Sequence, residues 1–361
     1  MRQMKLTPAK TLILAGIVAA SSFIFTSKLM ENRQIMQLKP LKTVEKIVPL
    51  KKAKKEDLSA PVRRIMLYVE KEGTGAKQDT VAKQTTAPAP IRKPTLSRAR
   101  NYLVSKGFEK AGIDSLLADP RIGKVSLEYA KTDTVKGKMT YERYKKYFKP
   151  DELMKRGPAF YLSNKEYLDS METESGVPKS QVLSHHWIES FYGDSTGSRL
   201  AVNVLLTRME RNPGRSGFAL NELAALLRLC KKYNKDPLEV YGSVWAAITP
   251  AQAIPSMLER FDKRHPCTSF DELVSARNSI AFIFDYLMRS GATVKSGYAV
   301  PPTHKAAYGK NRQKYSNYLA AFDYNHSEWY ARLAMEFALM MEMELVAERL
   351  GWPAKTGASM F

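Results

Sequence analysis

Within the 361-residue chain, the residue types that point most directly to chemistry lie in Gln181 to Gly193, QVLSHHWIESFYG. Val182, Leu183, Trp187 and Ile188 mark an apolar helix, and Glu189 stands at its end, just before the breaker Gly193 and the polar stretch DSTGS. A carboxyl set among Trp187, Phe191 and Tyr192 is stripped of water, which disfavours its charged form and raises its pKa. A carboxylic acid that keeps its proton near neutral pH is what general acid catalysis needs. Taken alone, the segment also reads as an ordinary surface glutamate flanked by core aromatics, the plainer alternative. His185 and His186 are weaker candidates, because adjacent helical positions diverge by about 100° and cannot chelate one metal together.

Two cysteines cannot make a disulfide scaffold or a four-thiolate zinc site, and five histidines without ligand spacing add nothing to that. No metal and no cofactor is expected. Cys230 and Cys267 pair only if their Cα atoms come within about 7 Å, and free buried thiols fit equally well.

The elements that must position Glu189 are mostly helical. From about Leu96 onward apolar residues recur at three and four. Ser163 with Glu166, and Ser269 with Glu272, fit the capping box and predict helix starts. The second runs on as FDELVSARNSIAFIFDYLMRS to Gly291, a left-handed stop. Arg199 to Arg211 and Glu222 to Tyr233 read as amphipathic helices. Ser327 opens a long one, EWYARLAMEFALMMEMELVAERL, halted by Gly351 and Pro353, in which Met335 to Met343 reads as adaptable core. A small sheet or hairpin fits only around Val125 to Lys138 and Thr293 to Val300. No 20 to 50 residue repeat is present. The fold class is mainly α with a minor β element.

Glu189-Ser190-x-Tyr192-Gly193 matches the E-S-x-Y-G signature of lysozyme-like lytic transglycosylases, and the wider spacing resembles the membrane-bound lytic murein transglycosylase B family of glycoside hydrolases. Tyr144, Phe148, Gly157 and Phe160 match its lead-in, and Gly176-Val177-Pro178 the GVP before the catalytic helix. Phe218-Ala219, Glu222-Leu223 and Asp236-Pro237-Leu238 match the middle. Gly242-Ser243, Gln252 and Pro255-Ser256 match the block G-S-x-x-G-A-x-x-x-x-Q-x-x-P-S, and Ser279-Ile280-Ala281 the helix after it. Tyr324-Asn325-x-Ser327-x-x-Tyr330 matches the closing Y-N-x-S-x-x-Y. The matches keep their order over roughly 97 to 345, the size of one or two domains.

The resemblance implies a lysozyme-like helical catalytic domain in which Glu189 is the single catalytic acid/base. It implies substrate-binding roles for Ser190 and Tyr192 of the signature, for Ser243 at the muramoyl N-acetyl group, for Gln252, Tyr324, Asn325 and Tyr330 along a groove, and for Arg215, one of two cleft arginines of which the other is Gly214 here. Each has a plainer alternative: Ser243 capping a helix, Arg215 solvated, Tyr330 in the core. The implied reaction cleaves the β-1,4 bond between N-acetylmuramic acid and N-acetylglucosamine in peptidoglycan and leaves a 1,6-anhydromuramoyl end. The chain departs from the family at Thr249-Pro250-Ala251, where a G-Y-G is usual, and at Ala246, where a glycine is usual. Both bear on loop shape and substrate grip. The calcium loop of some relatives is absent, since FDKRHPCTSFDEL has too few oxygen ligands. A second reading follows from these departures, a catalytically weak peptidoglycan-binding or wall-assembly scaffold that keeps the cleft.

The charge is uneven. The chain carries a formal +21, and its first 100 residues hold 21 Lys/Arg against 7 Asp/Glu. Arg2, Lys5 and Lys10 precede the uncharged run TLILAGIVAASSFIFTS, residues 11–27, which reads as a signal peptide or membrane anchor over 1–28. Residues 29–95, with Lys51, Lys52, Lys54, Lys55, Arg63 and Arg64, read as a basic, largely disordered linker, leaving 96–361 as the catalytic domain. An exported, inner-membrane-anchored protein of the periplasm or envelope is expected. Peptidoglycan glycan strands are its expected partner, with an anionic membrane or wall polymer for the linker. Nucleic acid is not expected, because no recognition module or interleaved aromatics accompany the polycation.

Overall fold

The computed structural model describes residues 89–127 and 140–350, apart from the side chain of Arg215. All of them belong to the larger of two compact units, 62–361. The expected signal or anchor, most of the expected linker, and Gly351 and Pro353 lie outside the described residues. Among the described residues there are thirteen α-helices and one two-stranded ribbon, and no helix is long and apolar enough to cross a membrane.

Helix α1 (Lys93–Ser105) opens with Pro94 in its first turn, where proline costs no hydrogen bond. Ahead of it Ile91 is buried, and the Arg92 amide donates to Glu210 Oε2 at 2.7 Å. Helix α2 (Lys110–Ala118) packs on α1, and α1 rests on α7 (Ala201–Arg211) and α8 (Ser216–Lys232), which pack on each other.

α8 holds the next element through a buried carboxylate. Glu222 accepts from the Ser256 amide at 2.8 Å and its hydroxyl at 2.7 Å, at the start of α9 (Pro255–Arg264). A carboxyl oxygen there satisfies an amide that the helix itself leaves unpaired. The motif pairs Glu222-Leu223 and Pro255-Ser256 are thus the two halves of one joint.

On the other side α3 (Tyr141–Tyr147), α4 (Pro150–Ser163) and α5 (Lys165–Ser175) lead to α6 (Lys179–Ser190). Every residue of α6 is buried, so the helix is enclosed on all faces. Several of its polar groups are paired accordingly: Gln181 Nε2 donates to the Asn317 carbonyl at 3.0 Å, Ser184 Oγ to that of Ala334 at 2.9 Å, and Lys179 Nζ meets Asp169 and Glu172 at 2.7 and 2.8 Å. α10 (Phe270–Leu273), α11 (Ala276–Arg289), α12 (Ser316–Asn325) and α13 (Glu328–Arg349) complete the domain, with α13 the main neighbour of α6 and with α12 packed on α13.

Three local expectations change. Ser163 ends α4 instead of opening α5: its hydroxyl donates back to the Ala159 carbonyl at 2.9 Å as a residue of that helix, and Asn164 takes the N-cap position of α5. The helix expected from Ser269 to Gly291 is two helices, because Ser275 also caps: its Oγ accepts from the Asn278 amide at 3.2 Å and restarts the chain after Val274. Gly291 does take the left-handed conformation, φ 92°. Among the described residues the minor β element pairs Arg199–Leu200 (β1) with Tyr241–Gly242 (β2), antiparallel, and not the described parts of the segments expected. In the described parts of those segments helix side chains take the place of a strand: Val125 N donates to Thr207 Oγ1 at 3.1 Å and Thr293 N to Asn317 Oδ1 at 2.8 Å.

Candidate active site

Glu189 lies at the penultimate position of α6 with 6% of its surface exposed. The Tyr330 hydroxyl, fully buried, donates to Glu189 Oε1 at 2.6 Å. Tyr330 is delivered from the first turn of α13, whose start is fixed by Ser327 Oγ accepting from the Tyr330 amide at 3.3 Å. Burial pushes the Glu189 carboxyl up to about 8, the Tyr330 hydrogen bond opposing it in part. Among the described residues no second carboxylate acts on it.

Around this pair the rings are ordered. Tyr330 lies parallel to Tyr324 with centroids 6.2 Å apart, and His185 stands edge-on to both, 5.1 Å from Tyr324 and 5.6 Å from Tyr330. The Tyr324 hydroxyl donates to the Ala251 carbonyl at 2.7 Å, tying the end of α12 to the loop 249–252. His185 Nδ1 donates to the Gln181 carbonyl at 2.8 Å, so Nε2 carries the lone pair, buried and without a partner among the described residues. His186 is likewise enclosed, and burial holds both imidazoles down at about 4.

The backbone after Glu189 explains the signature around it. Phe191, Tyr192 and Gly193 take φ of 52°, 62° and 100°, three left-handed residues in succession. The Phe191 amide returns to the Trp187 carbonyl at 2.8 Å, and Ser190 Oγ accepts from the Gly193 amide at 2.9 Å. Two of these residues have side chains and so bear a conformational cost. Ser190 and Tyr192, expected at the substrate, face the protein: Ser190 is 1% exposed with its hydroxyl used in this turn, and the Tyr192 ring stacks on Phe160 at 4.1 Å. Arg156 clamps the same turn, donating from Nη1 to Asp194 at 2.6 Å and from Nη2 to the Phe191 carbonyl at 3.3 Å. Nothing local in the sequence marks Arg156, because its partners lie 35 and 38 positions away.

Beyond the turn the chain meets the loop that carries Ser243 and Gln252. Gly197 has φ 96°, and a Cβ there would lie 2.2 Å from the Gly242 carbonyl carbon, so only glycine allows the approach. Ser243 is half-buried, its Oγ accepting from the Trp245 amide at 3.3 Å. Gln252 Nε2 donates to the Thr196 and Thr249 carbonyls at 3.3 and 3.1 Å, which bridges the two loops. Asn325 is buried at the last position of α12, beside Tyr324. Arg215 closes the 3-10 turn Pro213–Arg215, and its side chain lies outside the described residues. Ala246 keeps a left-handed conformation, φ 60°, and Thr249 Oγ1 accepts from the Ala253 amide at 3.2 Å, so the loop retains a defined turn without the usual glycines. Cys230 and Cys267 are free thiols. Among the described residues no three or more His, Cys, Asp or Glu gather as metal ligands.

A family model described as a transglycosylase SLT domain matches residues 92–301, more than half of the chain and the part that holds Glu189, Ser243 and Gln252. The chain belongs to the transglycosylase SLT family. It is a lytic transglycosylase, and its fold is shared with solved members. The Escherichia coli lytic transglycosylase Slt35, in complex with bulgecin A, is 18% identical over 73% of this chain and 98% of its own, with a TM-score of 0.60. The soluble lytic transglycosylase SltB1 of Pseudomonas aeruginosa is 20% identical over 70% of this chain and 99% of its own, TM-score 0.53. SltB3 of the same organism, in complex with NAG-anhNAM-pentapeptide, is 14% identical over 73% and 96%, TM-score 0.54. No curated protein matches the chain.

Proposed function

We propose that this transglycosylase cleaves the β-1,4 bond between N-acetylmuramic acid and N-acetylglucosamine of peptidoglycan with Glu189 as its one acid and base. The observation that carries the reading is the Glu189–Tyr330 pair. With the Tyr330 hydroxyl donating to Oε1, the carboxylic proton belongs on Oε2, where it is free to be given away. Burial keeps that proton in place at neutral pH. Oε2–H protonates the glycosidic oxygen, the bond to carbon 1 breaks, and the substrate's acetamide offsets the positive charge that develops. The carboxylate then takes the proton of the muramoyl 6-hydroxyl, whose oxygen closes onto carbon 1. One bond is broken, one is formed, Glu189 ends protonated and no water is consumed, so the second carboxylate of ordinary glycosidases has no task here.

Gln252, Tyr324 and Asn325 are proposed to line the strand-binding groove, with Ser243 at the N-acetyl group, and Arg215 is kept as a cleft residue on the resemblance alone. Ser190 and Tyr192 are assigned to the turn that fixes Glu189. We further propose export to the envelope, a domain of 96–361, and tethering through residues 11–27 and the basic stretch 29–95, supported by the uncharged run and the Lys/Arg excess. Digestion of purified sacculi tests the chemistry: wild type releases soluble muropeptides, and Glu189→Gln releases none above the blank. Release by Glu189→Gln equal to wild type overturns the assignment.

A further inference from the structure

Next to Tyr330 on α13 stands Trp329, which leaves 39% of its surface exposed although Tyr141 and Tyr144 pack against it. Its ring lies 5.6 Å from Tyr144 and 6.3 Å from Tyr141, and those two are 6.4 Å from each other. The Arg332 guanidinium covers Tyr141 at 3.8 Å. Tyr144 in turn packs on Phe148 at 5.0 Å, and the Phe148 carbonyl accepts from Trp187 of α6 at 2.6 Å, so the rings continue without a gap to the helix that carries Glu189.

Packing α3 onto α13 does not require an open indole. A large aromatic kept partly in water beside a catalytic pair is suited to one class of ligand, a sugar ring, whose C–H face stacks on an indole while its hydroxyls stay solvated. We infer that Trp329, backed by Tyr141 and Tyr144, is a stacking subsite for a pyranose of the glycan strand, beyond the residues joined at the scissile bond. The inference rests on the reading of Glu189 as the reaction centre. The link between the two runs through Tyr144, whose ring lies 5.6 Å from Trp329 and whose hydroxyl feels the charge of Glu189, so the indole stands one ring away from the reaction centre.

The test is made on binding, so that it does not depend on turnover. In the full chain carrying Glu189→Gln, affinity for peptide-free glycan strands of alternating N-acetylglucosamine and N-acetylmuramic acid is measured by calorimetry, for strands of about eight sugars and for the disaccharide. Trp329→Ala is expected to weaken the long strand about tenfold and the disaccharide much less, with Trp329→Phe recovering most of the loss. Tyr308→Ala, which alters an exposed aromatic on another segment, serves as the control and is expected to bind as the parent does. Equal long-strand affinity in Trp329→Ala and the parent overturns the subsite, as does an equal loss for both ligands. Failure of the Glu189 assignment would appear separately, as turnover by Glu189→Gln.

Discussion

The Tyr330 hydroxyl donates to Glu189 Oε1 across 2.6 Å inside the protein, joining two residues 141 positions apart. The bond does two things. It draws the carboxyl pKa down from the level that burial alone would set, and it assigns the transferable proton to the other oxygen.

Loss of that bond therefore shifts the pH profile in a stated direction. In wild type kcat/KM is expected to fall as pH rises past about 8, where Glu189 loses its proton. Tyr330→Phe should move this alkaline limb to higher pH and lower the rate at its plateau about tenfold, because the carboxylate needed in the second step is less stabilised. Rates on soluble glycan strands across the neutral and alkaline range read both effects. An unmoved limb would mean that another group sets it.

Glu189 also makes the folded state less stable as pH rises. Its folded pKa lies above the ordinary value of 4.5, so its contribution is intact below 4.5 and is lost as pH climbs through about 8. A glutamine in its place has no such loss, and the amide carbonyl accepts from Tyr330 equally well. Glu189→Gln should be the more stable protein at alkaline pH, by on the order of a few kcal/mol, and the gap should close below the ordinary carboxyl pKa. Urea melts on the two sides of that window check it.

The histidines act at the other end of the scale. Burial holds His185 and His186 down at about 4 against an ordinary 6.5, so the unfolded chain binds protons in that window and the folded one does not. Stability is lost as pH falls from 6.5 to 4. The His186 ring is buried against the stacked rings of Phe160 and Tyr192, 5.1 and 5.7 Å away. His186→Leu should remove its share, about 3 kcal/mol, from the acid-side loss. Melting points of the two proteins at neutral and at mildly acidic pH decide this; parallel curves would count against it.

Much of this arrangement is legible in the sequence where the cause is local. Ser327 caps α13, Gly291 is left-handed, and the signature after Glu189 contains the serine and glycine that its turn uses. Signals fail where a competitor or a distant partner decides. Ser275 interrupts what would be one helix, Ser163 bonds backward, and Arg156 reaches its carbonyl from another helix. The enclosure of α6 is also not local, since Ser180, Gln181 and Ser184 find their partners in Tyr298, Asn317 and Ala334, more than a hundred positions away.

Ala246 shows a cost the sequence only hints at. A left-handed alanine at φ 60°, fully buried, is strained by roughly 1–2 kcal/mol. Ala246→Gly should raise stability by about 1 kcal/mol, less what glycine gains in the unfolded chain. Denaturant unfolding of the two proteins measures it, and a lower stability for Ala246→Gly would show that the methyl packing outweighs the strain.

In the proposed mechanism one buried carboxyl does both halves of the reaction and water takes no part. Sacculi are digested in water enriched in heavy oxygen, with mass spectrometry of the released muramoyl ends. The predicted ends are lighter by one water than reducing muramic acid, free of label, and absent from the Glu189→Gln digest. Reducing ends carrying the heavy isotope, or the same unlabelled ends from Glu189→Gln, would contradict it.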